Sequence, residues 1–157
     1  QETKMPNLYV LVGVPGSGKS TWVNSQEWAK DCVYISTDKH IEQIASEAGL
    51  TYDDVFSDAI TTATNMAHAE ARQAALDGKD VIWDQTSVSV KSRKIKFRLL
   101  PNYYAIAVVF STPDPDEHAL RLANRPGKTI PDRAITKMIK SFQMPTEAEG
   151  FKEIWHI

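Results

Sequence analysis

The sequence predicts an α/β fold, a three-layer sandwich in which a five-stranded, mostly parallel sheet lies between two layers of helices. Three observations carry that expectation. Short apolar, β-prone runs alternate with stretches of helical spacing along the whole chain. A glycine-rich pattern, G-x-x-x-x-G-K-[ST], follows the first of those runs and opens the first helical stretch. The second and third strands run into aspartates, at the carboxyl ends where parallel sheets bind ligands.

Residues 8–12, Leu-Tyr-Val-Leu-Val, make the first strand. Gly13-Val14-Pro15-Gly16-Ser17-Gly18-Lys19-Ser20 and Thr21 come next, and Trp22, Val23 and residues 25–29 can continue a helix. Glycines let successive N–H groups turn inward on an anion. The helix beginning at Lys19 adds the positive end of its dipole. Gly13, Pro15, Gly16, Ser17, Gly18, Lys19, Ser20 and Thr21 are therefore the expected cradle of a nucleoside triphosphate. Lys19 would reach the outer phosphates and the Ser20 hydroxyl would ligate the bridging Mg²⁺, which makes ATP and Mg²⁺ the expected cofactors. The bland alternative, a chance glycine turn, does not account for the strand and helix that flank it.

The second strand, 31–36, runs into Thr37-Asp38, where Ile41, Ile44, Ala45 and Ala48 begin a helix that Gly49 ends. Thr51 followed by Tyr52, Asp53 and Asp54 offers an N-cap with acids in the first turn. A long alanine-rich helix then runs to about residue 76, with Gly78 as its stop. The third strand, 80–84, ends in Asp84. Ser87 and Ser89 can cap a helix over 90–100, which Pro101-Asn102 breaks. The fourth strand, 103–110, is nearly all apolar, as a strand covered on both faces should be. Asp114-Pro115-Asp116-Glu117 opens a helix to about residue 124. A basic, breaker-rich loop, 125–130, precedes a helix from Pro131 to about residue 142, and Gly150-Phe151 leads into a last strand, 152–157.

Composition bounds the function. The 157 residues read as one domain, 1–157, with residues 1–4 a disordered start or expression remnant and Met5 a plausible initiator. Apolar content of 42% and charged content of 24% are those of an ordinary globular protein. No run approaches the ~20 apolar residues of a membrane span, and no signal peptide is evident. The single cysteine, Cys32, sits in a strand pattern and leaves no internal disulfide, which points to the cytoplasm. The four histidines show no metal spacing. A formal net charge of −2 argues against coating long nucleic acid, though not against handling an end.

Several side chains could do chemistry. Asp38 can take a proton from an attacking hydroxyl or cap its helix, and both can hold at once. Asp84 occupies the usual place of the acid that supports Mg²⁺, with Thr86 beside it as a hydrogen-bonding group; the alternative is a turn built from Asp and Ser. Arg121 and Arg125 share one face at a helix end, suited either to a lid over a phosphoryl group or to the helix dipole. Lys91, Arg93, Lys94, Lys96 and Arg98 put five cations in eight residues. Lys91, Lys94 and Arg98 fall on one face, with Ile95 and Leu99 toward the core, and that face is a solvated surface or a seat for a polyanionic acceptor. No guanine-reading Asn-Lys-x-Asp occurs, which excludes a GTPase switch.

The motif 13–22, Ser36-Thr37-Asp38, Trp83-Asp84-Gln85-Thr86 and Arg121-Leu-Ala-Asn-Arg125 follow one another as in the 5′-hydroxyl polynucleotide kinase domain of phage and bacterial end-healing enzymes. The resemblance spans nearly the whole chain, including the Pro131 helix and the closing Glu149-Gly150-Phe151 strand. It implies a P-loop kinase fold with strand order 2-3-1-4-5, an arginine-bearing lid, and transfer of the ATP γ-phosphate to 5′-OH ends of DNA or RNA in a bacterial or phage-infected cytoplasm. Asp38 would be the general base, Lys19 and Ser20 would hold phosphates and Mg²⁺, Asp84 would support loop and metal, and Arg121 and Arg125 would act on the donor phosphates. The family's acceptor-binding arginine falls here on Ile41, with Lys39 or His40 beside it as substitutes. With Asp38, Lys39, Asp84, Thr86, Lys91 and Lys94 as acceptor contacts, two alternatives stay open: a kinase of a small metabolite or nucleoside, and a non-catalytic ATP-binding regulatory module.

Overall fold

A computed structural model describes residues 4–157; the expected disordered start falls mostly on residues 1–3, outside the described residues. Five strands, β1 (Asn7–Val12), β2 (Val33–Ile35), β3 (Val81–Asp84), β4 (Tyr104–Val109) and β5 (Glu153–His156), form one sheet in the order β2-β3-β1-β4-β5. Every pairing is parallel. Six helices connect them: α1 (Lys19–Asn24), α2 (Thr37–Ala48), α3 (Tyr52–Asp77), α4 (Val90–Leu99), α5 (Pro115–Ala123) and α6 (Asp132–Lys140). None of the described helices is long and apolar enough to cross a membrane.

The sheet is covered on both faces, as strand alternation requires. Leu8, Val10, Val12, Val81, Trp83, Ala105, Ala107 and Val109 face α3, whose Ala67, Ala71 and Ala74 let its backbone come close. Tyr9, Leu11, Ile82, Ile106 and Val108 face the other way, toward Val23 of α1 and the partly buried Trp22, Trp28 and Trp155. α2 and the start of α3 share a satellite core of Ile41, Ala45, Val55, Ala59 and Ala63.

Three expected boundaries move, two of them for one reason. The first helix stops at Asn24 instead of running to residue 29: the Ser25 hydroxyl donates to the Trp22 carbonyl at 2.7 Å, and residues Glu27–Asp31 form a 3-10 turn. That turn consumes Asp31, so β2 is shorter than expected. α6 ends at Lys140, where the Ser141 hydroxyl donates to the Lys137 carbonyl at 2.7 Å.

The cation run on α4 needs correction. Arg93 and Lys96 are buried, whereas Lys91, Lys94 and Arg98 are exposed and Ile95 is only half-buried. Each buried cation is satisfied. Arg93 meets Glu149 through Nε at 2.8 Å and Nη2 at 3.1 Å, and its Nη1 donates to the Ser87 carbonyl at 2.8 Å. Lys96 donates to the Ser92 carbonyl at 3.0 Å and lies 5.1 Å from the centre of the Trp83 ring. Burial raises the Glu149 pKa, but Arg93 and the Thr146 amide more than offset it and hold the carboxylate below the usual range. Arg93 ties α4 to the segment before β5, and Lys96 packs it on Trp83 of β3.

Candidate active site

The loop between β1 and α1 closes on itself without side-chain caps. Gly18 adopts φ 97° and Gly16 φ 78°, left-handed values that favour glycine. A Cβ on Gly13 would meet the Ser17 Oγ at 2.5 Å, so the first glycine is required by close approach. The Gly13 N–H donates to the Thr86 carbonyl at 2.9 Å, tying the loop to the end of β3. From α5, the His118 Nε2 donates to the Pro15 carbonyl at 2.6 Å, and the Arg121 Nη1 donates to the Gly16 carbonyl at 3.1 Å. The cradle is thus braced from both sides.

Lys19 is buried, and its ammonium donates to the Gly13 and Val14 carbonyls at 3.0 Å each. Burial lowers its pKa; the charges of Asp84 and Asp38 oppose that shift, and Arg125 adds to it. Asp84, Asp38 and Arg125 therefore lie within electrostatic reach of Lys19, and all four line one crevice.

Asp84 forms the floor. Its Oδ2 accepts from the Ser20 hydroxyl at 3.0 Å and from the Tyr34 hydroxyl. Burial, and then the Asp84 charge, push the Tyr34 pKa up, so the phenol stays a donor. The loop after Asp84 is tightly held. Gln85 accepts from the Trp83 indole at 2.9 Å and donates to the Thr37 hydroxyl at 3.0 Å. Ser87, at φ 45°, is a non-glycine residue in left-handed backbone, buried between that loop and α4.

Asp38 stands at the rim, its side chain 51% exposed. Its Oδ1 accepts from the Tyr52 hydroxyl at 2.7 Å, and its Oδ2 lies 3.8 Å from the Lys128 ammonium. Lys128 also donates to Glu42 at 2.5 Å and sits 4.7 Å from the Tyr52 ring centre. The basic loop that carries Arg125 and Lys128 is docked on the start of α3. Asp53 N–H donates to the Gly127 carbonyl at 2.9 Å, and Thr129 N–H donates to both Asp53 carboxylate oxygens at 2.9 Å.

Most of the residues singled out from sequence line one crevice: the loop from Pro15 to Thr21, Asp38, Lys39, Asp84, Thr86, Arg121 and Arg125. Gly13 lies behind it, as backbone. Lys91 and Lys94 do not line it; they are exposed on α4. His40 is paired with Glu70, away from the crevice, and Ile41 is fully buried. Lys39 lies 5.7 Å from the Tyr34 ring centre. Sequence reasoning missed Tyr34, Tyr52, Lys128 and His118. Only His118 carried a local signal: it lies one turn before Arg121, and so on the same helix face.

The donor set suits a triphosphate with its cation. Ser17 Oγ, Ser87 Oγ and Arg125 Nη1 are buried polar atoms without a protein partner among the described residues, and of the three residues Ser17 and Arg125 line the crevice. The Ser20–Asp84 pair offers one hydroxyl and one carboxylate. Among the described residues there is no cluster of three or more His, Cys, Asp or Glu that would hold a metal alone. A Mg²⁺ held by Ser20 and Asp84 would take its other ligands from phosphate and water.

A family model described as an AAA domain matches residues 8–145. A bifunctional polynucleotide phosphatase/kinase from the fission yeast Schizosaccharomyces pombe is 26% identical over 98% of the chain, which spans only 34% of that protein. Among solved structures, one from the PezAT toxin–antitoxin system of Streptococcus pneumoniae aligns at TM-score 0.74 and 19% identity, covering 99% of this chain and 68% of that one. One from the Pnkp1/Rnl/Hen1 RNA repair complex aligns at TM-score 0.66 and 24% identity, covering 90% and 45%. At these identities the structural likenesses establish the kinase-like P-loop fold and no more.

Proposed function

The chain belongs to the phosphate-loop family whose model is described as an AAA domain, and from that premise we propose that it is an ATP-dependent polynucleotide 5′-hydroxyl kinase. One observation carries the proposal: a carboxylate, Asp38, opens onto the same crevice as the phosphate cradle and the two lid arginines. Phosphoryl transfer asks little covalent chemistry of a protein; it needs alignment and charge stabilisation. The loop amides and Lys19 would hold the β- and γ-phosphates. Ser20 and Asp84 would hold Mg²⁺, which when bound supplies charge neutralisation across those phosphates. The acceptor oxygen would attack phosphorus in line, the bond to the β–γ bridging oxygen would break, ADP would leave, and Asp38 would take the hydroxyl proton. Arg121 and Arg125 would meet the charge on the group in flight.

The polynucleotide acceptor draws support from the fission-yeast relative and from surface charge. Lys91 and Lys94 on α4, and Arg133, Lys137 and Lys140 on α6, are exposed cations. The end of α6 is pinned beside the start of α4: Gln143 N–H donates to the Val88 carbonyl at 2.8 Å, and the Gln143 side chain accepts from Val90 N–H at 2.9 Å. The other flank of α6, with Ala134 and Met138, lines the crevice. A phosphate backbone leaving the crevice over α6 would meet these cations. A kinase of a small metabolite or nucleoside is the second reading. Ile41, buried where an acceptor-binding cation would help, favours it.

Transfer from labelled ATP to 5′-OH oligonucleotides of graded length, set against free sugars and nucleosides, tests both. Polynucleotide kinase activity predicts labelled oligonucleotides, with affinity rising with length and falling with salt. Label only on a small acceptor rejects the first reading in favour of the second.

A further inference from the structure

We propose that Tyr52 and Lys128 are positioning residues for Asp38, making closure of the lid and aiming of the base a single event; this rests on the kinase reading above. Asp38 is half-exposed, and its two side-chain torsions would otherwise leave the carboxylate free to turn. Tyr52 removes that freedom by donating to Oδ1 at 2.7 Å. Oδ2 has no hydrogen-bond partner among the described residues, since the 3.8 Å to Lys128 is an ion-pair distance. Oδ2 is thus the oxygen available to an alcohol.

Tyr52 is itself fixed. α3 begins in a reciprocal cap between Thr51 and Asp54, so its first turn is rigid. The Tyr52 ring packs 5.5 Å from Phe56 on one side, and the Lys128 ammonium sits 4.7 Å from its centre. Burial, and then the hydrogen bond to Asp38, push the Tyr52 pKa up, so the phenol remains a donor at neutral pH. The next residue, Asp53, binds the lid backbone at both Gly127 and Thr129. A side chain on Gly127 would come within 3.0 Å of Thr51, so the lid passes against the start of α3 with no room to spare.

Lys128 joins lid to base. It lies between Asp38 and Glu42, two carboxylates that would repel each other and an incoming triphosphate. In a loose transition state proton removal comes late, so the aim of the carboxylate is what the surrounding side chains can improve.

The test compares Tyr52→Phe, Lys128→Met and Lys128→Arg with wild type. Each is assayed for transfer, for KM of ATP, for the ratio of phosphate transferred to phosphate released to water, and for melting temperature. The expected result is a kcat loss on the order of tenfold for Tyr52→Phe and more for Lys128→Met. The transfer-to-hydrolysis ratio should fall in both, KM for ATP and melting temperature should hold, and Lys128→Arg should recover most of the loss. Variants that match wild type overturn the inference alone. A parallel loss of ATP binding and thermal stability makes the residues structural and overturns it too. A wild-type protein that phosphorylates no alcohol overturns both this inference and the kinase reading.

Discussion

Asp84 and Asp38 follow neighbouring strands of the same sheet, yet they sit in opposite surroundings. Asp84 is 7% exposed, with two hydroxyl donors on one carboxylate oxygen. Asp38 has a side chain 51% exposed, one phenol on Oδ1 and a lysine at ion-pair distance from Oδ2. The floor carboxylate is fixed by strand, burial and paired hydroxyls, all present whatever the lid does. The rim carboxylate is held by side chains from the start of α3 and from the loop docked on it, outside the sheet. The difference suits a site that must bind one ligand in constant geometry and assemble around a second.

The largest expected effect tests this contrast directly. Asp38→Ala should lower transfer by roughly 10²–10⁴-fold, with ATP affinity and melting temperature unmoved. Asp84→Ala should lower transfer, Mg·ATP affinity and stability together, the last by about 1 kcal/mol, because half-buried Tyr34 loses its acceptor. Isothermal titration and thermal melts on the two proteins decide it; matching profiles would erase the distinction between floor and rim.

Arg125→Ala comes next. Its buried Nη1 has no hydrogen-bond partner among the described residues; under the proposed role on the donor phosphates, transfer should fall by about 10³-fold while equilibrium ATP binding changes little. Arg121→Ala should weaken ATP binding as well, because Arg121 also braces Gly16. A smaller effect sharpens the floor: Tyr34→Phe should cost about 1 kcal/mol in urea unfolding.

The smallest effect is a pH dependence beneath the floor. Lys96, packed against Trp83 just before Asp84, has its pKa pushed down to about 8, by burial first and then by Arg93. An unfolded lysine holds its proton to about pH 10.4. Between those values the unfolded chain binds more protons, so this lysine's contribution to stability improves as pH rises through the window. Lys96→Met should therefore gain stability over wild type at neutral pH, and the gain should shrink from about pH 8 toward about pH 10. A gain constant across that range would rule out a buried ammonium as its cause.

Much of this arrangement was legible in the chain. Gly13 to Ser20 specify their own turn, since φ near 78° and 97° at Gly16 and Gly18 is a property of the residues that adopt it. Asp38 and Asp84 could be placed at strand ends because alternation and helix starts are local. The cations of α4 show where spacing stops helping. Arg93 and Lys96 look like solvent-facing residues until Glu149, the Ser87 carbonyl and the Trp83 ring are brought to them from elsewhere in the chain.

The sequence by itself determined the five strands, the phosphate turn and the two carboxylates, because period-two alternation, glycine φ and helix capping act over a few residues. Only the tertiary structure decided that Tyr34 serves Asp84, that His118 clamps the loop, and that Tyr52 and Lys128 face Asp38. Those partners lie 14 to 103 residues apart along the chain. Nothing in a tyrosine or lysine signals such a partner until sheet order and lid docking have fixed the distance between them.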